Sequence, residues 1–394
     1  MSAGLERQLR GAFARLPKPT REASARARSA ALAALGPAEP SSRGVLFLVA
    51  CAGACAIGAG AAALAATGNL RVAIGAKQKT APAVPSRLSV PAGSHGIAVV
   101  AGGKLWLATQ RGLRIEGMPV TTAELSPRAL YAVVGIGSSL VTLAPGNRRP
   151  WVHETDGRVA AAAWSPDGLK IAYVVAGRAG NTLRLIEGDG APDRLLVRGV
   201  SASKPSWRAD ALAVAYVDGR GRAAVYDLSA STRRTFDTRR CTGPARLVAY
   251  SPQGKRLLVA GARGVALVER WDRPPSCVAV ERGVETDGVA WVSGRVVITS
   301  EKAPRTPLAP SAVRSYEAGL GGRLERTARA STPVRLRGLA GLSGGGPALV
   351  AFQSARSIEL AGIAGIGPQS RGLRIEKPLV RLTVRAPAVT ISWR

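Results

Sequence analysis

WSPDGLKIAYV, Trp164 to Val174, decides the architecture because it recurs. Looser copies stand as SWRADALAVAYV at 206–217 and AYSPQGKRLLVA at 249–260. Two more are AELSPRALYAVV at 123–134 and VAWVSGRVVIT at 289–299. Each copy ends an apolar strand, turns tightly and starts an alternating strand. Pro166 presets φ at the first turn position, Asp167 can bond its own backbone, and Gly168 takes the left-handed conformation that closes the hairpin. Ile171, Tyr173 and Val175 then alternate with smaller neighbours, the pattern of a half-buried strand. Asn181 to Glu187 reads as the next strand and Gly188 to Gly190 as another turn, so one unit is about four short antiparallel strands.

The anchors Ser126, Ser165, Arg208, Ser251 and Ser293 are separated by 39, 43, 43 and 42 residues. A period of about 40–45 residues is that of a four-stranded propeller blade. Weaker copies follow at 341–352 and, truncated, at VTISWR, 389–394, with longer steps that imply longer loops. The repeat region opens at GIAVVAGGKLWLAT, 96–109, which reads as the second and third strands of a blade lacking its first. VTISWR supplies that strand. Joining them predicts an all-β propeller of seven four-stranded blades, sealed by the C-terminal strand, with no open edge.

WSPDGLKIAY resembles the repeat of TolB-like (WD40-like) β-propellers, in which an aromatic residue precedes SPDG and an apolar strand. The residues that carry the likeness are Trp164, Ser165, Pro166, Asp167 and Gly168, then Ser251, Pro252 and Gly254, with Trp207, Trp291 and Trp393 at the aromatic position. It covers roughly 96–394 and implies a fold, together with extracytoplasmic binding and scaffolding roles in a bacterial cell envelope.

Ahead of the propeller the chain changes character. From Gly44 to Leu70 there is no charged residue. The 24 residues 44–67 would span about 36 Å as a helix, more than the hydrocarbon layer of a bilayer. Val45, Leu46, Phe47, Leu48, Val49, Ile57 and Leu64 drive insertion among many Ala and Gly. The expectation is one transmembrane helix, with a short cytoplasmic leader at 1–43 and the large domain outside. Leu48-Val49-Ala50-Cys51 looks like a lipobox, but the apolar run before it is too short and continues beyond it. Ala63-Leu64-Ala65 looks like a signal-peptidase site after a leader of unusual length. Ala52, Ala56 and Gly60 share a helix face and would allow a homodimer.

The leader contains an amphipathic helix at 4–16, with Leu5, Leu9, Phe13 and Leu16 on one side, and a second helix from Thr20 to about Leu35. Residues 68–95, with Pro82, Pro85 and Pro91, read as an extended linker.

The net charge is +30, almost all from arginine. Codon usage in a GC-rich genome explains much of this; attraction to an acidic envelope polymer or anionic headgroups is the functional alternative. The basic residues are scattered without aromatic interleaving, which argues against nucleic acid. Cys241 and Cys277 flank one predicted blade, and a disulfide would tie its start to its outermost strand in an oxidising compartment.

Catalysis has little support. His153, in WVHETDG, is read as lying in a blade turn beside Glu154 and Asp156, a turn better suited to solvent than to a metal. No P-loop or HExxH occurs. The Asp-Gly pairs at 156–157, 167–168, 218–219 and 287–288 read as hairpin turns. Trp106, Trp151 and Trp271 are off register and read as exposed contacts. No catalytic, cofactor or metal residue is assigned. The expected function is a membrane-anchored extracytoplasmic module that binds a protein or acidic polymer of the envelope. The rivals are a propeller hydrolase or lyase with channel-facing carboxylates, and a transmembrane signalling protein that uses the leader.

Overall fold

The computed structural model describes residues 87–393, apart from 92, 270, 279–283, 293–294, 303–310, 319–323, 333–335, 342–347, 355–356, 365–373 and 385–388. The expected leader, the span at 44–67, its small-residue face and the linker up to residue 86 lie outside the described residues. Among the described residues no helix is long and apolar enough to cross a membrane.

The repeat signature builds the same turn each time. Gly168 N donates to Ser165 O at 2.9 Å, and Lys170 N donates to Ser165 Oγ at 2.9 Å. Gly254 and Arg256 repeat these bonds to Ser251, and Ala129 and Tyr131 to Ser126. The third residue after the anchor needs positive φ: Gly168 and Gly254 supply it at 73° and 72°, whereas Ala129 and Ala211 are held there at 50° and 58°. The serine hydroxyl does for the turn what a second backbone acceptor would do, so SPDG and SPQG are one device with interchangeable third residues.

The strand after the turn, Lys170–Gly177, differs from the half-buried strand that its alternation predicts: residues 171–175 are all buried. Ile171, Tyr173 and Val175 pack toward the preceding blade, while Ala172 and Val174 pack toward the following one. The alternation therefore separates two apolar interfaces, large side chains on one and small on the other, where core and solvent were expected.

Six sheets are made of four consecutive antiparallel strands, within 122–154, 158–198, 206–236, 245–278, 284–332 and 336–382. A further four-stranded sheet joins both ends of the repeat region. Its order is Val389–Trp393, Gly96–Ala101, Lys104–Thr109 and Arg114–Pro119. The closing strand runs antiparallel to Gly96–Ala101, with Ile97 opposite Trp393, Val99 opposite Ile391 and Ala101 opposite Val389. Consecutive sheets touch through their first strands, and the 336–382 sheet meets the closing strand, which in turn meets Thr122–Leu125. The result is an all-β propeller in which the first strand of each blade is innermost. One buried apolar cluster fills each junction.

Junctions are pinned by the signature residues as well as packed. Trp207 Nε1 donates to Ala163 O of the preceding blade at 2.9 Å, and Trp291 Nε1 to Ala249 O at 3.1 Å. In the same direction Tyr250 N donates to Ser206 Oγ at 2.9 Å, and Leu125 N to Ser392 Oγ of the closing strand at 3.0 Å. Cys241, on the four-residue helix Arg239–Thr242, is bonded to Cys277 on Ser276–Val278, with Cα atoms 5.0 Å apart. The bond fixes the start of the 245–278 blade to its outermost strand.

Candidate functional site

Antiparallel order gives the ring two different faces. Turns between the first and second, and third and fourth, strands of every blade lie on one. Hairpins between the second and third strands, and the connections to the next blade, lie on the other. Binding residues concentrate on such loops because a rigid scaffold holds them.

On the hairpin face, three blades are stitched together by backbone. Gly199 N donates to Asn181 O, Gly219 N to Gly199 O at 2.7 Å, and Ala245 N to Gly221 O at 2.8 Å. Between these stitches lies a recess of about 460 Å³, lined by Asn181, Ser201, Asp218, Arg220, Gly221 and Pro244 among others. Its hairpin is held from beneath by Asp218, which is 2% exposed. Asp218 Oδ1 accepts Arg220 N and Arg222 N at 3.0 and 2.9 Å, while Oδ2 accepts Arg222 Nε at 2.8 Å and Arg233 Nη2 at 3.3 Å. Burial alone would raise this carboxyl's pKa; the backbone donor of Arg222 and the guanidinium of Arg222 outweigh it and hold the group below the usual range. Arg233 also lies over the Tyr216 ring at 5.7 Å, and burial pushes the Tyr216 phenol up to about 12.

The same face is strongly basic. Arg178, Arg198, Arg220, Arg239, Arg240 and Arg263 are all exposed there, and among the described residues none has a carboxylate within 4.0 Å. Arg239 Nη2 donates to Arg220 O at 2.6 Å, so the Arg239 guanidinium reaches the backbone of a residue that lines the recess. Nearer the axis, Lys204 of the connection 199–205 reaches past the intervening blade to pair with the buried Glu124 of Thr122–Leu125.

A second polar cluster sits at the outer side of a blade junction. Tyr173 OH donates to Asp193 Oδ1 at 2.8 Å, Arg184 Nε donates to Oδ2 at 2.9 Å, and His153 Nε2 lies 3.5 Å from Oδ2. Burial would raise the Asp193 pKa, but hydrogen bonds from Arg184 and Tyr173 hold it low, while burial and the Asp193 bond push the Tyr173 phenol up.

Several expectations change at these sites. His153 is on the strand Val152–Glu154, where it faces Asp193 across the junction; it does not lie in a turn with Glu154 and Asp156. Among the described residues no group of His, Cys, Asp and Glu is placed to hold a metal. Of the Asp-Gly pairs, 167–168 and 218–219 lie in hairpins, but 156–157 is in a connection between blades and 287–288 is inside the strand Val284–Val292 at a register shift. A register shift leaves an unpaired residue in a strand, which tolerates the same residues as a turn. Trp106, Trp151 and Trp271 are not exposed contacts. Each is half-buried against a junction cluster; Trp151 Nε1 donates to Gly188 O at 2.9 Å and Trp271 packs 5.2 Å from Phe236. Trp164, Trp207 and Trp291 are buried in the junctions, and Trp393 lies on the closing strand. Ser165, Pro166, Asp167, Gly168, Ser251, Pro252 and Gly254 form their turns and are not among the residues that line the recess beside Asp218.

The Glu124–Lys204 pair and the Asp218 clamp were not read from the sequence. An acid within the apolar run at 123–125 and an arginine four residues after Asp218 were the available signals.

No family model matches the chain, and no curated protein does. Similar solved structures include the periplasmic gluconolactonase of Pseudomonas aeruginosa, at 11% identity and a TM-score of 0.55 over 76% of this chain and 98% of that one. Hydrazine synthase of Kuenenia stuttgartiensis is similar at 13% identity and a TM-score of 0.53, over 68% of this chain and 88% of that one. TolB of Agrobacterium tumefaciens matches at 14% identity and a TM-score of 0.42, over 59% of this chain and 87% of that one. At such identities the likeness is one of fold.

Proposed function

We propose that the chain is a bacterial membrane-anchored binding module. Residues 1–43 form a cytoplasmic leader, 44–67 a single transmembrane helix and 68–95 a linker. Residues 96–394 form an extracytoplasmic propeller of seven blades, counting the sheet made from both ends. The hairpin face presents the partner surface. One observation carries this reading: on the face where three blades build a recess, six exposed arginines, Arg220 of the recess lining among them, have no carboxylate partner among the described residues. Unlike the arginines held at Asp193 and Asp218, these are available for an acidic partner.

The enzyme reading draws less support. Asp193, Asp210, Asp218 and Asp227 are all held below the ordinary carboxylate range by hydrogen bonds. A general acid needs the opposite shift. The disulfide supports an oxidising compartment.

Two measurements test the reading. Protease added to spheroplasts should digest the propeller and spare the leader. A photo-crosslinker placed at position 220 should capture an envelope component, whereas one at 148, on the opposite face, should not. A propeller protected from outside, or equal capture at both positions, would refute the proposal.

A further inference from the structure

Two exposed leucines on the turn face stand in one repeated frame. Leu169 and Leu212 follow the turns between first and second strands of the adjacent blades 158–198 and 206–236, and are 50% and 46% exposed. Leu169 N donates to Asp167 Oδ1 at 3.0 Å, and Leu212 N to Asp210 Oδ1 at 2.9 Å. Leu169 O accepts Gly188 N at 2.7 Å, and Leu212 O accepts Leu228 N at 2.8 Å. These bonds bring the last residues of the third strands, Glu187 and Asp227, alongside. Each leucine is thus flanked by a turn carboxylate and a strand-end carboxylate, and Asp189 follows in the outer turn of its blade.

The frame stops at the blades on either side. The preceding one has Arg128 and Ala144 in place of the two acids, and the following one has Gln253 and Lys255 in place of the turn acid and the leucine. Inner turns of neighbouring blades abut: a Cβ on Gly168 would stand 3.5 Å from Pro127 Cδ, and one on Gly254 2.9 Å from Ala209 N. Leu169 and Leu212 therefore belong to one stretch of the rim. Asp167, Glu187, Asp189, Asp210 and Asp227 outnumber the cations beside them. Lys170 Nζ is 4.0 Å from Asp167, and Arg208 is shared between Asp210 and Asp227. Arg194, Arg233 and Arg234 stand on outermost strands, where Arg233 is bonded to Asp218 and Arg234 to Trp271 O. In a chain of net charge +30 the patch is a local reversal of sign. The Asp210–Asp227 group is also not closed on itself. Tyr250, 6% exposed, has a hydroxyl with no partner among the described residues, and Arg208, Asp210 and Asp227 are the charges that act on it.

A single exposed leucine is ordinary. A repeated pair set among carboxylates suits a partner that is apolar and basic at once. Anionic headgroups and nucleic acid carry the wrong sign for it. We infer that the turn face of these two blades docks a basic amphipathic segment of a partner protein, its apolar side chains on Leu169 and Leu212 and its lysines or arginines against Asp167, Glu187, Asp210 and Asp227. This surface is independent of the hairpin face, and position 148 lies outside it, in the blade that carries Arg128 and Ala144.

The test uses the full chain in nanodiscs of zwitterionic lipid and a short fluorescent peptide of leucine and lysine, read by anisotropy against empty discs. Asp167→Asn/Asp210→Asn keeps an acceptor for each leucine N–H while removing two charges, and should weaken binding at least about fivefold. Leu169→Ser/Leu212→Ser should weaken it at least about tenfold. Asp156→Asn/Asp237→Asn makes the same charge change on the hairpin face and should stay within about twofold of the parent. If the first variant melts low, Glu187→Gln/Asp227→Asn should give the same loss. Equal binding of a leucine and glutamate peptide, an equal loss in the Asp156→Asn/Asp237→Asn variant, or no binding above empty discs overturns the inference. So does self-association of the parent, or its binding to anionic vesicles, that Leu169→Ser/Leu212→Ser abolishes, since a second copy or a lipid surface would then be the occupant. Each of these results leaves capture at position 220 standing, so failure here is distinct from failure of the hairpin-face reading.

Discussion

Removing the closing strand should open the propeller at a measurable cost. Val389 and Ile391 are each 7% exposed and pack into the junction with the 336–382 blade. Burying two such side chains stabilises by about 4–5 kcal/mol together. The ladder to Gly96–Ala101 adds about 1 kcal/mol per hydrogen bond. Ordering the strand costs about 1–2 kcal/mol per residue, so these two contributions roughly cancel. Deleting residues 389–394 should therefore cost about 5 kcal/mol. For a domain of ~300 residues the unfolding entropy is about 0.6 kcal/mol/K, so Tm should fall by about 8 °C. Ile391→Ala should cost about 3 kcal/mol and about 5 °C. Thr390, opposite Val100 but exposed, should change stability by less than about 0.5 kcal/mol when made Ala. Scanning calorimetry of the purified protein reads all three. A deletion variant melting within about 2 °C of the parent would show that the pairing does not seal the ring.

Other outcomes follow from particular contacts. The Cys241–Cys277 bond closes a loop of 36 residues, and replacing both cysteines by serine should cost about 4 kcal/mol in the chain-entropy account, read as a shift in urea midpoint. Asp218→Ala strips the acceptor from Arg222, Arg233 and two backbone donors, and should cost about 3 kcal/mol. Asp193 and Asp218 are depressed below an unfolded value near ~3.9, so their contribution is complete above that value and disappears as pH falls through the lower folded values. Urea midpoints should thus hold from neutral pH to about pH 5 and drop below ~4, less steeply in Asp218→Asn. A Cβ on Gly261 would stand 2.4 Å from the carbonyl oxygens of Thr242 and Pro244, so Gly261→Ala should lower Tm by several degrees.

The fold was legible because its information is local and periodic. The turn at 165–168 and the aromatic before it recur at a fixed interval, and a period specifies a blade even where a copy is poor. VTISWR could be assigned to the first sheet only because 96–109 lacked a first strand. What stayed hidden is non-local. Glu124 and Lys204 meet across an intervening blade, 80 residues apart in sequence. His153 meets Asp193 because two outer strands adjoin. Neither contact follows from spacing along the chain. The two-sided burial of Lys170–Gly177 was misjudged for a related reason: alternation records that two faces differ, but not that both are covered. The arginine face was invisible because its six members come from five separate loops and strand ends, each ordinary by itself.

The sealing strand also sets a timetable. Ile97 is synthesised near the beginning of the domain and its partner Trp393 at the very end. The nascent chain can stack blade upon blade, yet it carries a naked sheet border until Val389–Trp393 has emerged. Such a chain folds late and slowly for its size, and it is open to mispairing with its siblings while it waits. A helper that shields unpaired strands during synthesis would matter more to this protein than to one whose sheets are complete as they emerge.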